Sequence, residues 1–169
     1  LSINSSVNYH QAGFAVGTWM AKEIKGKGNV LVIEGIPGFS ASDSQNRGVL
    51  DGLSRYPDIK VVGQIAHMWT SQVGQVETQK WLATHPGQLD GVAVQSSGET
   101  GVLQAFLQSG RDLPPLSIGG ERGALCYWRN NPDYISGAIQ TWPPGDDVEM
   151  GWNIMMRTLQ GKGQKIQSI

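Results

Sequence analysis

The chain has 169 residues and is 39% hydrophobic, long enough to bury a core of single-domain size and too apolar for a disordered tail. Its 13 Lys and Arg stand against 14 Asp and Glu for a net charge of −1 with no basic run, which excludes the electrostatic footprint of a nucleic-acid binder. The lone cysteine, Cys126, excludes an internal disulfide, the 3 scattered histidines leave no zinc site of the usual spacing, and no uncharged apolar run is long enough to cross a bilayer.

The first segment, YHQAGFAVGTWMAKEIKG, repeats apolar residues at helical spacing through Phe14, Ala15, Trp19, Met20 and Ile24, and Gly26 to Gly28 supply a stop. NVLVIEG follows as a short continuous apolar run, the mark of a strand covered on both faces. The turn IPGFSAS leads into SDSQNRGVLDGLSRY, a helix with Ser or Asp near its N-cap. The alternation then repeats. IKVVGQIA is a strand and SQVGQVETQKWLAT a helix; GVAVQ is a strand and GETGVLQAFLQSG a helix; LSIGG is a short strand before the weaker helix ERGALCYWRNN; GAIQT is the last strand. Five strands alternating with helices of this length predict a three-layer α/β domain, a five-stranded parallel sheet with helices on both faces. Two prolines in TWPPG then break the chain, and DDVEMGWNIMMRTLQG reads as one more helix ending at Gly161.

Open parallel sheets bind ligands beyond the carboxyl ends of their strands, where loops converge and helix N-termini present unpaired N–H groups. The five strand exits read GIPGFS, AHMWTS, QSSGE, GGERG and QTWPPG, so hydroxyls, amides, two glutamates and two tryptophans gather on one rim. An aromatic face among many hydrogen-bonding groups suits a polyhydroxylated ligand, whose C–H face stacks on a ring while its hydroxyls find donors and acceptors. Trp69 is the candidate ring.

Plainer roles compete for the same residues. A tryptophan at a strand end can pack against a helix; Ser40, Ser42, Asp43 and Thr70 can serve as helix caps; His67 and Glu121 can be ordinary exposed loop residues; Cys126 can be a small buried hydrophobe. Catalytic motifs are few: there is no G-x-S-x-G elbow, no G-x-x-x-x-G-K-[ST] and no His-Glu-x-x-His. GKGNVL, Gly26 to Leu31, has two glycines of a dinucleotide fingerprint but precedes a strand, and GIPG, Gly35 to Gly38, follows a strand without the lysine of a phosphate loop. No enzyme activity and no cofactor is expected.

Taken together, GKGNVLVIEGIPG, QNRGVLDGLSRYPDIKVVG, AHMW and DGVAVQSSGETGVLQAFLQSGR resemble the carboxyl-terminal lobe of a type I periplasmic binding protein of the ribose-binding, sugar-transporter class. The resemblance covers nearly the whole chain. It implies two α/β lobes joined by three crossovers, with the ligand held between them as the hinge closes. SSVNYHQAG then corresponds to the first crossing and IQTWPPG to the return, so that 1–143 forms the ligand-binding lobe and 144–169 a returning helix of the absent amino-terminal lobe. On this reading the sequence is a fragment, without the parent's signal peptide, amino-terminal lobe and closing strands.

The family's ligand contacts carry over residue by residue. Trp69 matches the aromatic that stacks on the sugar, and Glu121 the acid after the fourth strand. Gln45 stands where the family has arginine, with Arg47 two residues on; Gln95 or Ser96 matches the polar residue ending the third strand, and Gln140 or Thr141 the polar position near the second crossing. The resemblance implies a sugar or polyol as solute, an ABC transporter membrane permease as partner, a monomeric parent and a periplasmic or extracellular location. The other expectation of the same fold is the effector-binding core of a lactose-repressor-type regulator, which is cytoplasmic and dimeric and is separated from the first by what precedes the lobe, a signal peptide or a helix-turn-helix.

Overall fold

The computed structural model describes residues 7–134, 136–138 and 144–162. In chain order the elements are α1 (Tyr9–Glu23), β1 (Lys27–Glu34), α2 (Ser40–Ser54), β2 (Asp58–Ala66), α3 (Ser71–Thr84), β3 (Gly91–Val94), α4 (Glu99–Ser109), β4 (Leu116–Ile118), α5 (Arg122–Asn130), β5 (Ser136–Ala138) and α6 (Pro144–Leu159). The sheet is parallel throughout, ordered β2-β1-β3-β4-β5, so the expected α/β class and five-stranded parallel sheet are present.

The strands alternate their side chains between two helical layers. Val30 and Val32 of β1 and Ala93 of β3 join Val16, Met20 and Ala21 of α1 and Val49 and Leu53 of α2 in one core. Leu31 and Ile33, with Val92 and Val94, face the other layer, where Trp81, Leu82, Val102 and Phe106 of α3 and α4 complete a second core. Fully burying one such large side chain stabilises by roughly 1.5–3 kcal/mol, so β1 and β3, apolar on both faces, anchor the middle of the sheet. β2 lies at the edge, and its pairing with β1 shifts after Val30, where the partner passes from Val61 to Gly63. That irregularity, with Lys60 beside it, blunts an exposed edge.

The first helix differs from its expected face. Its buried stripe is Gly13, Val16, Gly17, Met20 and Ala21, while Ala15 is exposed and Phe14 and Trp19 are only half-buried. The reason is the neighbouring helix. A Cβ on Gly13 would overlap the Gln45 carbonyl, and one on Gly48 would overlap the His10 carbonyl, so α1 and α2 pack backbone against backbone. The same device joins α3 and α4, where a Cβ on Gly101 would overlap the Ser71 carbonyl. Small residues permit this approach, and a pattern search that counts large apolar side chains is blind to it.

The chain divides into two compact units, Tyr9–Ile139 and a second one containing α6. Described by itself, α6 ends where Gly161 turns left-handed (φ 69°) and Lys162 N–H reaches back to the Arg157 carbonyl at 2.8 Å. Val148, Trp152, Met155 and Leu159, spaced along one helical face, are exposed by 44% or more. No helix among the described residues is long and apolar enough to cross a membrane.

Candidate functional site at the strand exits

Strand order reverses direction between β1 and β3, whose successors run to opposite sides, and that switch point is where open α/β sheets form a crevice. Gly35 follows β1 directly at this place. A Cβ there would overlap the Trp69 indole and approach the Gln95 amide oxygen at 2.7 Å, so the glycine admits both side chains at once. Trp69 is half-buried and meets Phe39 edge to face, with ring centroids 5.2 Å apart and planes at 82°. Phe39 is 50% exposed and Met68 44% exposed, so an apolar, partly open wall stands over the β1 and β2 exits.

Behind the wall the polar groups are bonded to one another. Gln95 is 2% exposed; its Oε1 accepts from Gly35 N–H at 2.9 Å and from Ser42 Oγ at 3.1 Å, while its Nε2 donates to the Ser42 carbonyl at 2.8 Å. Its amide therefore ties the β1 exit to α2, and of Gln95 and Ser96 it is Ser96 that keeps exposed surface. Glu99 is fully buried, with Oε1 accepting from Gly119 N–H (2.9 Å) and Glu121 N–H (3.0 Å) and Oε2 from Gly98 N–H (3.0 Å). Glu121, half-buried, accepts from the Ser71 hydroxyl and the Thr100 N–H, each at 2.8 Å. A continuous rim thus runs from Gly35 to Glu121.

The other expected positions lie differently. Gln45 is 8% exposed, one turn beyond Ser42 in the α1–α2 interface, and Arg47 is exposed on the other flank of α2. Gln140 and Thr141 lie outside the described residues. Expected capping holds for Thr70, whose hydroxyl accepts from Val73 N–H at 3.3 Å, whereas α2 is capped at Phe39 with no side-chain bond, Ser42 is buried against Gln95, and Asp43 accepts from Gly38 N–H at 2.9 Å. The plainer role open to His67, that of an exposed loop residue, does not hold: it is fully buried. Phe39 and Glu99 escaped the sequence reading, and Gly35 was weighed only as part of a phosphate loop. A usable sign of Phe39 was present: GFSAS repeats the pattern of MWTSQ, an aromatic just ahead of a helix start at a strand exit.

Electrostatically, the helix N-termini facing this rim are already served. Asp43 occupies the Gly38 N–H, the Thr70 hydroxyl that of Val73, Glu121 that of Thr100 and Glu99 that of Gly98. An anionic ligand would compete with a resident carboxylate for three of these donors and with the Thr70 hydroxyl for the fourth. At the end of β1, burial first and then the charge of Asp43 hold the Glu34 carboxyl above its ordinary pKa. Asp43→Asn removes that charge while keeping an acceptor for Gly38, and should lower the Glu34 pKa in a carboxyl NMR titration. The GKGN segment lies at the opposite end of the sheet, where Gly28 packs on the Asp90 carboxylate beside an open depression of about 440 Å³ lined by Lys25, Lys27 and Pro115. Parallel sheets do not gather ligand loops there, so the strand-exit rim carries the functional argument.

Known proteins share this architecture. The chain is 27% identical over 151 residues to the xylitol-binding protein of Mycolicibacterium smegmatis, covering 88% of this chain and 42% of that one. The structure superposes on an ABC transporter periplasmic solute-binding protein from Actinobacillus succinogenes with bound D-allose (TM-score 0.83, 24% identity, 96% of this chain and 56% of that one). It superposes equally on a solute-binding protein from Burkholderia graminis in complex with D-arabinose (TM-score 0.84, 22% identity, 96% and 57%). The chain therefore spans about half the length of the relatives it matches. With the five-stranded parallel lobe in place and residues 2–163 matching the model of the periplasmic binding protein domain, a family of binding proteins, the chain belongs to the type I periplasmic binding proteins.

Proposed function

We propose that this chain is one ligand-gripping lobe of a solute-binding protein that captures a neutral sugar or polyol between two lobes and delivers it to an ABC transporter permease. The observation that carries the reading is the Trp69–Phe39 wall at the β1/β3 switch point, an open aromatic face bordered by Ser96 and Glu121. Relatives whose names record xylitol, D-allose and D-arabinose support a polyhydroxylated ligand. The carboxylates already seated on the helix N-termini favour a neutral one over a phosphate ester.

On the same reading Trp69 stacks on the ligand, Ser96 and Glu121 bond its hydroxyls, and Gln95 holds the rim in shape behind them. Gln45, Arg47, Gln140 and Thr141 are the remaining contacts to test. Residues 144–169 belong to the amino-terminal lobe, and the exposed apolar stripe of α6, Val148, Trp152, Met155 and Leu159, is the face that lobe covers in the whole protein. The whole protein works as a monomer in the periplasm or outside the cell, performs no chemistry on its ligand and needs no cofactor.

A thermal-shift screen of the two-lobed protein against pentoses, hexoses, polyols and their phosphates tests this, because a ligand that binds only the folded state raises the midpoint. Neutral sugars or polyols should raise it and their phosphates should not; a response confined to the phosphates would refute the neutral-ligand reading. Trp69→Ala should then weaken the responding sugar by about 1–3 kcal/mol with the melting temperature of the ligand-free protein little changed. Unaltered affinity would reduce Trp69 to a packing residue.

A further inference from the structure

Trp69 sits on an unusual backbone. Met68 (φ 53°) and Trp69 (φ 52°) are consecutive non-glycine residues in the left-handed region, a conformation that persists only where its surroundings hold it. The surroundings are specific. His67 N–H donates to the Glu34 carbonyl at 2.9 Å, Met68 N–H to the Gly35 carbonyl at 3.0 Å and Thr70 N–H to the His67 carbonyl at 2.9 Å, so the turn is pinned on both sides. The Trp69 N–H points inward and donates to His67 Nδ1 at 2.9 Å.

That bond defines the state of the imidazole. A nitrogen that accepts carries no proton, so the other one, Nε2, is protonated and donates to the Gln95 carbonyl at 2.9 Å. Both bonds are satisfied by one neutral tautomer and by no other form of the ring. Glycines make the room: a Cβ on Gly98 would overlap the ring, and one on Gly74 would come within 3.2 Å of the His67 Cβ. The geometry is that of an Asx turn with an imidazole in place of the short side chain, a side-chain acceptor taking the N–H two residues on.

We propose that His67 is the positioning residue for Trp69: its neutral ring, bridging the Trp69 N–H and the Gln95 carbonyl, holds the left-handed turn that sets the angle of the aromatic wall. This rests on the proposed ligand role of Trp69 only for its effect on affinity. Protonation adds a donor at Nδ1 facing the Trp69 N–H, so the strut fails and the turn loses its inner tie.

The direction of the pH dependence follows. Burial disfavours the charged ring and lowers the His67 pKa, while the bond to the Gln95 carbonyl and the charges of Glu99 and Glu121 oppose that and do not overcome it. From α3 and the β3 exit the ring meets Gly74 and Gly98, which do not titrate. The turn is therefore intact above the ordinary histidine range and is lost as pH falls through the depressed pKa.

The test compares the tryptophan emission of wild type with that of Trp69→Phe, so that the difference reports Trp69 alone, from about pH 7.5 to about pH 5, with far-UV circular dichroism confirming a folded chain throughout. The Trp69 signal should change with acidification in wild type, remain flat in His67→Asn, whose side-chain oxygen restores an acceptor without titrating, and be altered already at the upper pH in His67→Leu. A His67→Leu chain whose Trp69 signal matches wild type at the upper pH overturns the proposal, as does a His67→Asn chain that titrates like wild type. Isothermal titration of the two-lobed protein with xylitol and D-arabinose separates the two readings. Weakening of about tenfold at the lower pH in wild type, absent in His67→Asn, supports both. An emission change without any change in sugar binding supports the positioning role and removes Trp69 from the ligand site.

Discussion

Gly101→Ala should destabilise the chain by about 3 kcal/mol, lowering its melting temperature by roughly 6–12 °C. Helix propensity alone demands the opposite, since alanine in place of a helical glycine ordinarily stabilises by about 0.5–1 kcal/mol. The sign reverses because the added methyl would overlap the Ser71 carbonyl, a backbone atom at the start of α3 that cannot rotate aside. Relief requires α3 and α4 to separate, and that loosens Trp81, Leu82, Val102 and Phe106 beneath them. Gly48→Ala should act alike on α1 and α2, where the methyl would overlap the His10 carbonyl. Gly87, with nothing within 4 Å of its added Cβ, is the control and should shift by no more than about 0.5 kcal/mol. Thermal melts followed by circular dichroism decide the matter; a Gly101→Ala chain as stable as wild type would mean that the helix pair is not in close contact.

Removing the buried carboxylate of Glu99 should cost still more. Glu99→Leu strips an acceptor from three backbone N–H groups, those of Gly98, Gly119 and Glu121, in a place water does not reach. An unpaired buried donor costs about 1–3 kcal/mol, so relaxation that rescues one of the three still leaves a loss of about 3–5 kcal/mol. Glu99→Gln is the graded comparison. Its amide oxygen can replace Oε1 for Gly119 and Glu121, but its NH₂ then faces the Gly98 N–H, so about 1–3 kcal/mol should be lost. Urea titrations should give the order wild type, Gln, Leu. Equal stability of the Gln and Leu variants would show that the loop bonds do not depend on the carboxylate. The loss should also reach the candidate site, because Glu99 places the Glu121 backbone and Glu121 in turn holds Ser71, two residues beyond Trp69.

Local pattern determined the fold class, the order of elements and most of their limits. NVLVIEG and GVAVQ are apolar without interruption because β1 and β3 are covered on both faces, and the third helix begins and ends with the predicted stretch from Ser71 to Thr84. The rim was legible too, since strand exits in a parallel sheet converge whatever their sequence. Trp69 could be named from its place after the second strand, and the periplasmic binding protein family from the order of several segments.

Only the tertiary structure decided which polar groups are bonded internally and which face outward. Gln95 and Ser96 are neighbours in sequence, yet one closes a buried bridge between β1 and α2 while the other keeps exposed surface. Glu99 and His67 reveal nothing in one dimension, because their partners lie in other strand exits and their burial depends on glycines such as Gly98 that make room for a ring. The face of the first helix was displaced for the same reason: it is set by how near a second backbone comes. Periodicity records what a segment presents, and distance between segments decides what that surface does.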